Sequence, residues 1–567
     1  MSLPQTEKPR LFPDLAAAVP AFAEAMRRHE DGDLAGARMM YANLIDQPAL
    51  TAPSLHQLGL IAAAQGEHGR AADLFLKVTR LEPALWMGYA NLSAALDRIG
   101  KPAEGTRVLA DFACALYAMR QYKEAEPVFR QVLARDPASF AGNANLGTCL
   151  SWLGQLPEGA AFLIRALHLY GRTAPEIAGL LTALDADIDK SVLARLPPLP
   201  ETPVSGCIEK VEDVLTSLGK ALMELGQASA ALQCYRMAVT IAPGFALGHW
   251  NLALALLKRG DFEQGWAEYE WRWEWPDFPE PRRRLPAAPW RGEPLAGKRI
   301  LIWSEQGFGD VLQFVPLVAA LAKQENAEVL LEVPAPLLRL LRANLPQIRV
   351  IPRPDQPNAV TTDLALDYAL PILSLPLRLG LRTADLPLAA VPYLHPSPED
   401  VALWTERLRD ETRLRIGLVW ASRPYPDTRR CIPLEMFRET ISGTPTVAWY
   451  ALQVGPQQRE LDEAGIPGLT DLSADLHDFA DTAAAVGQLD LVISIDTAVA
   501  HLASAQGKPV WTLLPHIADW RWGRNESPTP WYPHMRLFRQ SRSGDWGEVL
   551  TQVLAALKEF PREVSQR

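Results

Sequence analysis

Two short stretches carry residues whose types and spacing could do chemistry. In S-E-Q-G-F-G-D-V-L, Gly307 and Gly309 precede Asp310, a glycine loop followed by a carboxylate. Placed at a helix start and facing a cleft, Asp310 suits a general base that takes a proton from a substrate hydroxyl. The same aspartate would equally serve as a helix cap that satisfies backbone N–H groups. In V-I-S-I-D-T-A-V-A-H-L-A, a strand-like run ends at Asp496, and Thr497 and Ala498 open a helical stretch that carries His501. The N–H groups of such a helix start, a threonine hydroxyl and a small residue permitting close approach make a cradle for a diphosphate. Thr497 and His501 are one helical turn apart and so face the same side, while Asp496 would cap the helix or hold a ribose hydroxyl. Arg429 and Arg430 suit a bidentate phosphate clamp, or are surface charges. The loop at Gly307 and Gly309 lacks the third glycine of G-x-G-x-x-G, which argues against a nicotinamide dehydrogenase. Asp185, Asp187 and Asp189 form an Asp-x-Asp run; metal binding is one reading, but a polar helical stretch favours a solvated face.

The elements that must position these residues show in the apolar pattern. Short apolar runs at 299–305, 327–333, 348–351 and 366–372 are followed by a second series at 415–421, 446–454, 490–496 and 509–515. Buried strands alternating with helices predict doubly wound parallel sheets. We therefore expect Rossmann-like domains at 298–400 and 412–560, facing a cleft, with ligands outside the carboxyl ends of the strands. Upstream, Gly32, Gly66 and Gly100 are spaced by 34 residues, as are Gly226 and Gly260. A small residue follows each by five positions and a bulky one four later, as in Ala37 with Tyr41 and Ala71 with Phe75. This resembles the tetratricopeptide repeat and predicts an α-solenoid of helix hairpins over 18–275. The step from Gly105 to Ala125 is only 20 residues, so one helix should be missing there, and a proline-rich break interrupts the array at about 171–211. Seven of the 17 tryptophans fall between Trp250 and Trp303. They form either a stacking platform for a ligand or, as we favour, a cap sealing the last repeat against the next domain. Residues 276–297 read as a connector, with Arg282, Arg283 and Arg284 solvated.

The 567 residues allow three or four domains. With 48% hydrophobic and 22% charged residues, a disordered or fibrous chain is excluded. Lys plus Arg total 56 against 66 Asp plus Glu, a net charge of −10 that disfavours nucleic-acid and anionic-membrane partners. No run of 18 apolar residues predicts a membrane span, and the polar, proline-bearing start is unlike a signal peptide. The five cysteines lie far apart and form no C-x-x-C pair, so neither a disulfide framework nor a zinc site is expected. The expectation is a soluble, cytoplasmic protein.

Taken together, E-Q-G-F-G-D-V-L-Q-F, G-L-V-W, D-T-A-V-A-H-L-A, D-W-R-W and S-P-T-P-W-Y-P-H-M-R-L-F-R-Q resemble bacterial tetratricopeptide-repeat glycosyltransferases. The catalytic part is similar to the ADP-heptose:lipopolysaccharide heptosyltransferases, and the layout is similar to O-linked N-acetylglucosamine transferase. The resemblance implies a GT-B fold, an acceptor-side domain at 298–400 and a donor-binding domain at 412–560. It implies Asp310 as the general base and Asp496, Thr497, Ala498 and His501 as the donor-diphosphate motif. Arg430 or Arg429 would lie near phosphate, beside Cys431 where related chains show Ser. Gln453 is a candidate donor contact, and Trp520 and Trp522 are core or cleft-wall packing, which we favour, or sugar stackers. The implied reaction is inverting transfer of a sugar from a nucleotide sugar to a protein hydroxyl, with flagellin among the acceptors of such families. The helix start, His501 and Arg430 would meet the leaving phosphate's charge without a metal or cofactor, and no Asp-x-Asp occurs between Lys298 and Arg567. A lipopolysaccharide or glycolipid acceptor is the alternative, as is a non-catalytic repeat scaffold. The repeats would recruit the acceptor or else mediate homo-oligomerisation.

Overall fold

The computed structural model describes residues 19–172, 174–187, 210–280, 282–324, 327–356, 358–359, 365–409, 411–422, 428–523 and 529–564. The chain divides into two compact units, Met1–Ala242 and Pro243–Arg567.

The first unit is a run of helix hairpins, from Pro20–Glu30 and Leu34–Leu44 to Val211–Glu224 and Ala228–Ile241. Gly32, Gly66, Gly100, Gly154 and Gly226 turn the chain between helices at φ of 77–86°, the left-handed region that a Cβ disfavours. Arg120, at φ 60°, holds the same place between helices Pro102–Ala118 and Tyr122–Arg135. The bulky members of the repeat pattern, Tyr41, Phe75, Leu109, Phe129, Leu163 and Tyr235, are all buried. Phe75 lies so close to Gly59 that a Cβ there would meet the ring at 2.6 Å; Tyr235 lies on Gly219 in the same way. At the short step, helix Pro102–Ala118 packs against Trp86–Arg98 before it and Tyr122–Arg135 after it, closing one hairpin and opening the next. Asp185 and Asp187 fall in the last turn of helix Ala178–Asp187; Asp189, Cys207 and most of the proline-rich break lie outside the described residues.

The second unit opens with a further hairpin, Ala246–Arg259 and Phe262–Tyr269, the last of the array expected over 18–275. Two parallel sheets follow. The first has the order β1 (Ala288–Pro289), β5 (Tyr368–Pro371), β2 (Arg299–Trp303), β3 (Glu328–Val333), β4 (Arg349–Pro352). The second runs β11 (Met535–Arg539), β10 (Val510–Leu514), β9 (Leu491–Ile495), β6 (Leu414–Val419), β7 (Val447–Ala451), β8 (Leu469–Asp471). Every strand pair in both is parallel.

Residues 276–297 are more than a connector, because they supply β1 to the edge of the first sheet. Arg283, expected to be solvated, is buried: its guanidinium pairs with Glu332 on β3, donates to the Ala359 carbonyl at 2.7 Å and lies 5.2 Å from the centre of the Trp303 ring. A buried carboxylate opposite makes that charge tolerable away from water. The tryptophans pack as a cap. Trp266 is buried edge-on against Phe314 and Trp520, and Phe262 stacks on Trp531. One apolar core therefore runs from the hairpin into both sheet domains. On a further face, Arg339 of the first domain pairs with Asp400, Asp478 and Asp481.

Candidate active site

In each sheet the chain reverses its direction of build at one point. The first sheet adds β3 and β4 on one side of β2, then β5 on the other; the second adds β7 and β8 beside β6, then β9 on its far side. Open parallel sheets leave a crevice at such a point, outside the carboxyl ends of the two strands. β2 ends at Trp303 and leads into Ser304–Gly307 and Asp310, while β9 ends at Ile495 and leads into Asp496 and Thr497. Both motifs singled out in the sequence thus stand at the crevice of their own sheet.

Asp310 lies in the first turn of helix Phe308–Gln324 and accepts the Gly307 N–H on Oδ2 at 2.7 Å. Its Oδ1 is paired with Arg521 of the other domain. Arg521 is buried; it also donates to Asp519 at 2.9 Å and to Gln313 at 2.6 Å, with its guanidinium 4.4 Å from the Trp520 ring centre. Burial pushes the Asp310 carboxyl above its ordinary range, while Arg521 and the Gly307 N–H pull it back. Burial alone would lower Arg521, but Asp310 and Asp519 outweigh it and hold the guanidinium charged. Both oxygens of Asp310 are thus engaged. It satisfies a backbone N–H, and it is a carboxylate held at the crevice by an opposite charge.

In the second sheet domain, Thr497 is the N-cap of helix Ala498–Ala505, with extended backbone and its hydroxyl 2.8 Å from Ser494 Oγ. The first turn of a helix leaves N–H groups without helical partners, which suits an anion. Gly309 explains how the domains meet here. A Cβ on it would stand 2.8 Å from His501 Cδ2 and 3.5 Å from Ala498 Cα. His501 is buried, stacked on Trp522 at 5.4 Å, with Nδ1 3.0 Å from the Tyr532 hydroxyl. Burial, helped by Arg521, pushes its pKa down to about 3. A neutral imidazole offers a hydrogen bond and no positive charge, unlike the charge expected of His501. Burial and Asp519 push Asp496 up to about 6, and Arg430 opposes them electrostatically. Arg429 is exposed. Cys431 exchanges weak hydrogen bonds with the Ser422 backbone at 3.5 and 3.7 Å.

Gln453 is occupied structurally. Its Oε1 accepts the Ala421 N–H at 3.0 Å and its Nε2 donates to the Val454 carbonyl at 3.2 Å, pinning the turn after β6. Trp520 and Trp522 are buried in the apolar core. The residue missed in the sequence is Arg521. Between two tryptophans in D-W-R-W it reads as an incidental charge, and only a fold that brings positions 310 and 521 together reveals its partner.

Two segments match the tetratricopeptide repeat family, residues 116–184 and 216–270. Protein FlbA of Caulobacter vibrioides is 27% identical over 497 residues, covering 82% of this chain and 74% of its own. Among solved structures, a glycosyl transferase family 9 protein from Veillonella parvula is 14% identical, covering 46% of this chain and 91% of that one at a TM-score of 0.32. The ADP-heptose lipopolysaccharide heptosyltransferase II of E. coli is also 14% identical, covering 46% and 99% at a TM-score of 0.31. No helix among the described residues is long and apolar enough to cross a membrane. The chain thus carries tetratricopeptide repeats, matched at residues 116–184 and 216–270, and its second unit is built on two parallel sheets.

Proposed function

We propose that the protein is an inverting glycosyltransferase that moves a sugar from a nucleotide sugar to a hydroxyl of a protein acceptor, recruited by the repeats in the cytoplasm. The observation that carries this reading is the meeting of Asp310 with the Asp496–His501 motif, each at the crevice of its own sheet, through Arg521 and Gly309. The donor's diphosphate lies on the helix start at Thr497 and Ala498, with Arg430 as its cationic partner and His501 as a neutral hydrogen-bond partner. The acceptor hydroxyl sits on the side of the first sheet. Asp310 takes its proton as the oxygen attacks the anomeric carbon from the face opposite the leaving phosphate. A carboxylate raised by burial is a better base than one in water, and Arg521 keeps it ionised. Charge on the leaving phosphate is met by the helix start and Arg430, and no metal is required in this scheme. A protein acceptor is favoured by the repeats, since stacked hairpins present extended surfaces suited to polypeptides. Flagellin is the acceptor to try first, because the sequence resemblance implies it.

The test is a panel of nucleotide sugars offered to the purified protein, with binding followed by calorimetry and turnover by release of the nucleotide. Asp310→Asn should abolish turnover and leave donor affinity nearly unchanged, because the amide keeps the size of the carboxylate but cannot accept the proton. Wild-type protein that neither binds nor turns over any donor in the panel would reject the reading. Turnover retained by the Asn variant would remove Asp310 from the chemistry.

A further inference from the structure

The loop ahead of Asp310 is held from outside its own sheet. Gln306 sits at φ 62°, left-handed backbone that a residue with a side chain adopts only when its surroundings enforce it. The enforcing contacts come from the segment that follows the last hairpin. Arg272 takes both oxygens of the buried Glu305, Nε to Oε2 at 2.9 Å and Nη2 to Oε1 at 2.8 Å. The Gln306 N–H donates to Glu280 at 2.7 Å, and its side-chain amide donates to the Tyr269 hydroxyl at 2.8 Å. Arg272 is itself fixed, with Nη1 donating to the Tyr269 carbonyl at 3.0 Å and to Glu270 at 2.9 Å, and Nη2 to Ser374 at 2.9 Å. The next residue, Gly307, donates its N–H to Asp310 Oδ2 at 2.7 Å, so its place in the loop sets the direction of that hydrogen bond. The path from Glu305 to Gly307 therefore sets one of the two contacts that aim Asp310, the other being Arg521.

We propose that Arg272 is a positioning residue for the reaction, and that the segment Tyr269–Glu280 braces the active-site loop; the proposal rests on the glycosyl-transfer reading. A brace of this kind acts on the chemical step and leaves the donor site, on the other sheet, unchanged. Arg272→Lys in the full chain keeps the charge but cannot span both carboxylate oxygens. It should lower kcat about tenfold to a hundredfold, the scale of a small misplacement of a reacting group. The donor Kd should be unchanged, and amide exchange at residues 304–309 should be faster. Arg272→Leu combined with Glu305→Leu replaces the buried ion pair by apolar side chains, which protects the fold. That double variant should melt near the wild type yet keep the low kcat, since the loop is still untied. Wild-type kcat in either variant, or unchanged exchange at 304–309 in Arg272→Lys, would overturn the proposal. If the wild-type protein itself transfers no sugar, the functional reading fails, and the exchange measurement alone then decides whether Arg272 holds the loop.

Discussion

Asp310 stands between burial, which favours its neutral form, and Arg521, which favours its charged form. A base works only when ionised, so turnover should fall as pH drops through a value above the usual carboxylate range, about 3.9. Arg521→Met removes the opposing charge and should move that limb of the pH–rate profile upward. It also leaves Asp310 and Asp519 facing each other without a counter-charge, which should cost about 3 kcal/mol in denaturant unfolding. An unmoved limb would show that Arg521 does not set the charge state of Asp310. Asp496 offers a second titration. Its folded pKa of about 6 lies above the unfolded value, so its contribution to stability is fully present below about pH 4 and is lost as pH rises through 6. Asp496→Asn should therefore raise the melting temperature at pH 8, by the equivalent of roughly 1–3 kcal/mol, and change little at pH 4. Equal effects at both pH values would count against an Asp496 charge held at that cost. Asp310 and the Asp496–His501 run were legible in the sequence because each is a local motif. Arg521 and Arg272 were not, because their partners are Asp310 and Glu305, 211 and 33 positions away.

At the scale of elements, helices Phe308–Gln324 and Ala498–Ala505 begin at the same place, and the bare backbone of Gly309 lets them do so. Gly309→Ala would drive a methyl group to 2.8 Å from His501, so either the imidazole or the helix must yield. Overpacking of this kind costs about 1–3 kcal/mol. We expect a lower melting temperature and a loss of transfer, measured together; an alanine variant with wild-type values in both would show that the domains have slack at this contact. The longer strands of both sheets were legible as apolar runs, because strands covered on both faces leave no polar alternation to hide them. β1, β8 and β11 were not. β1 is two residues in a proline-rich stretch, β8 is three residues with its last two exposed, and β11 carries two arginines, Arg536 and Arg539. The repeat was legible through its turns, since glycine at φ near 80° is a requirement the sequence cannot disguise; the frame broke where a single helix, Pro102–Ala118, separates the turns at Gly100 and Arg120, and Arg120 also meets the turn's requirement without glycine.

At the scale of the whole molecule, the chain divides into compact units at Ala242–Pro243. A fragment from Pro243 to Arg567 keeps the hairpin, β1, Arg272 and Arg283, and should fold and bind donor with full-length affinity while losing modification of a protein acceptor. A fragment from Lys298 would leave Glu305 and Glu332 buried without their arginines and strip the cover from Phe314 and Trp520, and should be insoluble. Soluble, donor-binding protein from the shorter fragment would refute the seam. Its position also bears on how such a chain can change over generations. Recombination among the upstream hairpins can lengthen or shorten the array and leave the two-sheet unit whole. The final hairpin has no such freedom, because its side chains are shared with the machinery it precedes. Descendants should therefore differ in repeat number while keeping that one hairpin in place.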